Sequence, residues 1–141
     1  MNDKLTVWEG MTMADITDRI KSALGQVRKR AKRNLATTAH KEASQFLEKG
    51  RKKYNSKDYK LAAKFFQKAV DADTRYAMAH YYLGLARYKL NDSAGAHRSW
   101  ETTIELDSGS DAAIKADKKL EQHKKRTNRS VNQLEDRIKN R

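Results

Sequence analysis

Residues 43–74 read ASQFLEKGRKKYNSKDYKLAAKFFQKAVDADT and residues 77–108 read AMAHYYLGLARYKLNDSAGAHRSWETTIELDS. Laid over one another at a constant offset, they pair Ala43 with Ala77, Gly50 with Gly84, Tyr54 with Tyr88, Asp58 with Asp92, Ala62 with Ala96, Phe66 with Trp100, Val70 with Ile104 and Asp73 with Asp107. Eight coincidences at one period are the signature of a tandem supersecondary unit. The spacing predicts two helical hairpins. Gly50 and Gly84 fall mid-helix, where glycine costs roughly 1 kcal/mol against alanine, so a close approach must offset them. Ala62 and Ala96 are expected to face those glycines, with Phe66 and Trp100 one turn further on filling the gap between units.

Composition agrees with helix throughout. The 141 residues contain no proline and six glycines, with 38% hydrophobic and 35% charged side chains, which leaves little for strands to use. The expected fold class is all-α: a short helical-hairpin solenoid with long N- and C-terminal helices. Cysteine is absent, which excludes disulfides, thiolate catalysis and cysteine-ligated zinc.

These positions resemble the tetratricopeptide repeat family. Phe46, Gly50, Tyr54, Tyr59, Ala62, Phe66 and Ala69 in the first unit, and Leu83, Gly84, Tyr88, Ala96 and Trp100 in the second, occupy signature or near-signature places. Departures are Lys49, His80, Thr103, and Thr74 and Ser108 in place of the closing proline; Thr74 and Ser108 or Ser110 are expected to cap the following helices instead. The resemblance implies two repeats, 41–74 and 75–108, which cover about half the chain. It also implies a groove on the first helix of each hairpin, lined by Ser44, Leu47, Arg51, Tyr54 and Asn55, by Met78, Tyr81, Leu85, Tyr88 and Lys89, and by Lys115 and Lys119 on the next helix. Tyrosine, methionine and leucine beside Arg and Lys suit a protein segment with apolar side chains and acidic groups or a free carboxylate end. The clamp that some family members use for chaperone tails is not matched, since Leu47, Arg51, Tyr82, Ala112 and Ala116 stand in its places.

Two repeats leave apolar faces open at both ends, so the flanks are expected to be helical caps. After a tail at 1–11, residues 12–40 predict a basic amphipathic helix: Thr12 and Asp15 form a capping box, and Ile16, Ile20, Leu24, Val27, Ala31 and Leu35 make one stripe, with Gly25 a weak point. Residues 109–141 carry Ala113, Ala116, Leu120, His123, Thr127, Val131, Leu134 and Ile138 at spacings of three and four, which predicts one long helix whose far half overhangs the repeats. That stripe wants a partner: the N-terminal helix, a second copy of the chain, or another protein. His123 and Thr127 interrupt it as a coiled-coil seam.

Lys and Arg number 31 against 18 acids, a formal charge of +13. The surplus is uneven: residues 75–108 are balanced at four and four, whereas Arg28, Lys29, Arg30, Lys32 and Arg33 cluster before the repeats and Lys124, Lys125, Arg126 and Arg129 after them. Such flanks suit an acidic protein partner or, in the alternative reading, nucleic-acid backbone contacted without sequence preference. No base-stacking aromatics interleave the clusters, and the stripe at 12–40 lacks interfacial Trp or Phe for a membrane surface.

His40, His80, His97 and His123 are scattered, with no metal-ligand spacing. No phosphate loop, nucleophile elbow or catalytic triad pattern occurs. The expected function is non-catalytic: a scaffold or adaptor without metal or cofactor. MNDKLTVWEG has neither the basic start nor the apolar stretch of a signal peptide, and no run reaches membrane-span length, so a cytoplasmic location is expected.

Overall fold

The computed structural model describes residues 10–140; the tail at 1–9, with Trp8, lies outside them, as does Arg141. The described chain is all-α, with helices α1 (Met13–Asn55), α2 (Tyr59–Ala72), α3 (Ala77–Lys89), α4 (Ser93–Leu106) and α5 (Asp111–Lys139). It divides after Thr38 into two units, described separately below.

The second unit, from Ala39 onward, carries the 34-residue period in its backbone. Helices α2 and α4 begin one period apart, as do α3 and α5. Both hairpin turns have the same construction. Lys57 and Asn91, themselves one period apart, adopt the left-handed conformation at φ 64° and 63°. In the first turn Lys57 N–H donates to Tyr54 O and Asp58 N–H to Lys53 O; in the second, Asn91 N–H donates to Tyr88 O and Asp92 N–H to Arg87 O, all at 3.0–3.1 Å. This is the Schellman closure, which satisfies the last carbonyls of one helix. The same aspartate then opens the next helix, since Asp58 Oδ1 accepts from Leu61 N–H at 3.1 Å and Asp92 Oδ1 from Gly95 N–H at 2.8 Å. Three residues therefore reverse the chain without glycine or proline.

Inside each hairpin, the ring and not the alanine meets the glycine. A methyl group placed on Gly50 would lie 2.5 Å from the Phe66 ring, and one on Gly84 would collide with the Trp100 indole. The expectation that Ala62 and Ala96 face the glycines is corrected accordingly. A flat ring needs a helix face with no Cβ, whereas the alanines are fully buried one turn earlier among their own cores. The first core gathers Ala43, Leu47, Ala62, Phe66, Ala69, Ala79, Leu83 and Ala86; the second gathers Tyr81, Ala96, Trp100, Ala112 and Ala116. Arg87 ties the layers together, donating to Ser99 Oγ at 3.0 Å and to Gln67 Oε1 at 3.3 Å.

Other ends differ in detail from expectation. Ser110 caps α5, its Oγ accepting from Ala113 N–H at 3.2 Å. Thr74 does not cap α3, whose N-cap is Tyr76 and carries no side-chain cap bond. Instead the Thr74 carbonyl accepts from His80 Nε2 at 2.9 Å, and the neighbouring Asp73 bonds His40 Nδ1 at 2.8 Å. No helix boundary falls at residues 40 and 41, where no glycine, proline or capping residue interrupts the run. On α5, burial ends at Ala116, and Val131, Leu134 and Ile138 are 46%, 57% and 74% exposed.

In the first unit, α1 starts on the expected box. Thr12 N–H donates to Asp15 Oδ2 at 2.9 Å and Asp15 N–H to Thr12 Oγ1 at 3.2 Å; the Thr12 hydroxyl, donating to Asp15 Oδ2 at 2.6 Å, and then the Thr12 N–H hold the Asp15 carboxyl below its ordinary value. Ile20, Leu24, Val27 and Leu35 are exposed, and the helix passes through Gly25, around which an added methyl would meet nothing.

The two glycines predict opposite outcomes. Gly84→Ala is expected to lower stability by about 1–3 kcal/mol, because the buried indole cannot yield without breaking the second core; urea unfolding checks this. Gly25→Ala is expected to raise helix stability locally by about 1 kcal/mol, read as slower amide hydrogen exchange around residue 25.

Candidate functional site

The site lies where α3, α4 and α5 meet. Trp100 seats on Gly84 at 1% exposure, and its position organises three more rings. Tyr88 lies 5.9 Å from it and His97 6.3 Å; His123 closes the circuit at 5.7 Å from Tyr88 and 4.4 Å from His97, centroid to centroid. Three helices thus each contribute at least one ring to a closed quartet, with contact distances in the favourable range for aromatic pairs. The indole N–H is buried without a hydrogen-bond partner, an omission that costs about 1–3 kcal/mol and accompanies the tight fit over Gly84.

Beside the quartet is a cleft of about 460 Å³ lined by Tyr88, Trp100, Lys119, Gln122, His123, Lys125, Arg126 and Arg129. Its α5 residues recur at three- and four-residue steps, which on a helix sets them on neighbouring turns of one side. Arg126 Nη1 donates to Tyr88 Oη at 2.9 Å, joining α5 to the last turn of α3. Four cations line this cleft and no carboxylate does, so an anion placed there meets uncancelled positive charge.

A second depression adjoins the first through His123. His97, Glu101, Asp117, Leu120, Glu121, His123, Lys124, Thr127 and Asn128 line it. His97 Nε2 and His123 Nδ1 are 2.7 Å apart, so one imidazole donates to the other. Burial, His97 and the Arg126 charge hold His123 below the usual imidazole range. Among the described residues no group of three or more His, Asp or Glu is placed to hold a metal ion, and no helix is long and apolar enough to cross a membrane.

The residues named from the sequence fall in several different environments. Leu47 and Tyr81 are 4% and 8% exposed, built into the first and second cores, so neither offers a surface to a ligand. Burial raises the Tyr81 hydroxyl pKa and, more mildly exposed, that of Tyr54 as well. Met78 and Leu85 are half-buried against the same cores. Arg51, Lys89 and Lys115 are exposed but engaged: Arg51 bonds Glu48 at 2.7 Å and stacks 5.5 Å from the Tyr82 centroid, Lys89 lies over Tyr59, and Lys115 bonds Asp111 at 2.8 Å. Asn55 is exposed at the end of α1.

Tyr88 and Lys119, taken from the groove, and Lys125, Arg126 and Arg129, taken from the basic cluster, come together in one cleft. Lys124 points to the acidic depression instead. In the first unit, Arg28, Lys29, Arg30, Lys32 and Arg33 are all exposed, and Lys29, Lys32 and Arg33 flank a shallow apolar patch at Ala36.

Gln122, His97, His123 and Trp100 were not named as site residues by sequence reasoning. A signal existed for two of them. Carrying the 34-residue period once more into α5 places Gln122 in register with Tyr54 and Tyr88, and His123 in register with Lys89. No protein-family model matches the chain, and no curated protein is found to match it.

A folded-state pKa for His123 below its unfolded value means the unfolded chain binds more protons near pH 6, so stability falls as pH drops through the ordinary imidazole range and is fully present above it. Urea midpoints at pH 7.5 and 5.5 are expected to show this loss, and the loss is expected to be smaller in His123→Gln.

Proposed function

We propose that the protein is a non-catalytic, cytoplasmic interaction protein of tetratricopeptide-repeat type that binds an acidic segment of another protein in the cleft between Tyr88 and α5. The observation that carries this reading is the convergence of Lys119, Lys125, Arg126 and Arg129 with Tyr88, Gln122 and His123 in one cleft with no carboxylate on its walls. The recurrence of helix starts, Schellman turns, aspartate caps and glycine-seated rings at one period supports the repeat assignment.

Two features favour a protein over a nucleic-acid backbone. The α5 stripe continues past the cleft as exposed Val131, Leu134 and Ile138, which offer nothing to phosphates but complement a segment carrying apolar side chains among its acids. Tyr88 is also held by Arg126 at 2.9 Å and packed against Trp100 and His123, so it is not displayed as a platform for stacking bases. The cluster at Arg28–Arg33 then acts at longer range, raising the encounter rate with an acidic partner.

Replacing Lys119 and Arg129 together with alanine is expected to weaken binding of an acetylated hexaglutamate peptide about tenfold or more at low salt, since each charge-assisted contact contributes on the order of 1 kcal/mol. Fluorescence anisotropy measures it. Unchanged affinity in a variant with native circular dichroism contradicts the reading. If duplex DNA binds the native protein more tightly than the peptide and suffers the same loss in the variant, the cleft belongs to nucleic-acid backbone instead.

A further inference from the structure

We propose that the His97–His123 pair makes the cleft a proton-coupled carboxylate site, in which a carboxylate among Lys119, Arg126 and Arg129 and an added proton on the imidazole pair stabilise each other. The proposal rests on the cleft's being the binding site for an acidic segment and adds how that site is regulated.

The geometry supplies both halves of the coupling. His123 lines the cationic cleft and the acidic depression at once, so its ring is the wall between them. Its bond to His97 uses Nδ1 of one ring and Nε2 of the other at 2.7 Å. With both rings neutral, a single proton is shared along that line. One added proton keeps the bond as an imidazolium donating to an imidazole; a second destroys it and sets two cations face to edge at 4.4 Å.

The charges facing the pair come from all three helices. Tyr88 on α3 packs edge-on to His123. On α4, Glu101 lines the depression with His97; on α5, Asp117, Glu121 and Lys124 lie on that side, and Lys119, Lys125, Arg126 and Arg129 lie on the cleft side. The three carboxylates favour the added proton, and the cations oppose it, Arg126 most directly. A carboxylate bound in the cleft cancels the opposing side and leaves the favouring side in place. The pair then accepts the proton more readily, and by reciprocity the protonated pair holds the carboxylate more tightly. Glutamate side chains remain ionised well below the imidazole range, so the ligand's charge is constant across the relevant window.

Affinity for acetylated hexaglutamate is expected to rise about three- to tenfold as pH falls from about 7.5 to 5.5, through the range in which an imidazole takes up its proton. Calorimetry near pH 6 in buffers of different ionisation enthalpy is expected to show net proton uptake on binding. His123→Gln, which can still hydrogen bond, is expected to bind with a flattened pH profile and no uptake; His97→Gln supplies a second variant should the first unfold. Affinity independent of pH in the native protein, or a pH profile unchanged in both variants, overturns the coupling while leaving the cleft as the binding site. Failure of the peptide to bind at any pH overturns the cleft itself, and the coupling with it.

Discussion

Two flat rings lying on two glycines set the geometry on which the rest of the second unit depends. Phe66 covers Gly50 and Trp100 covers Gly84; any side chain at either glycine would push the helices of that hairpin apart. Because Trp100 is fixed in this way, Tyr88 at the end of α3 and His97 on α4 are fixed around it, and α5 is located by docking Ala112 and Ala116 against the same core. The cleft is a consequence of that docking. Its walls are packed where they touch the ring quartet and become solvent-exposed helix further along α5.

Much of this architecture is legible in the sequence because a repeat constrains many positions at once. Glycine and a large ring recur together, and aspartate recurs at each turn, because each turn must close one helix and open the next with the same residue. The partner of each glycine was not legible: alanine and the aromatic one turn later lie on the same face of the second helix, and only the packed structure shows which reaches across. The continuity of α1 through residues 40 and 41 follows from the absence there of any cap, glycine or proline, a signal that the repeat boundary obscured. Tyr81 and Leu47 look like groove residues by position yet are core residues by burial, Leu47 within the first core and Tyr81 within the second.

The candidate site was half visible for a related reason. Its cations were apparent as a run, and Tyr88 as a groove residue, but their meeting depends on the angle at which α5 leaves the second core. Extending the repeat period into α5 brings Gln122 into register with Tyr88, and sequence spacing alone then goes no further; the 2.7 Å contact between His97 and His123 joins residues from different helices that share no motif. Electrostatics completes the picture. Cations gather on one side of His123 and carboxylates on the other, so a single ring separates two fields of opposite sign, and whatever occupies the cleft alters the balance.

On the proposed function, the face organised by Trp100, and not the basic run at Arg28–Arg33, receives the acidic partner. The most direct test is chemical-shift mapping of the ¹⁵N-labelled full chain with an acidic peptide at low salt. The largest shifts are expected at the Trp100 indole N–H and at the amides of Tyr88, Gln122, His123 and Arg126, with small shifts across residues 13–38. Shifts concentrated at residues 28–33, with the Trp100 indole unmoved, would contradict it.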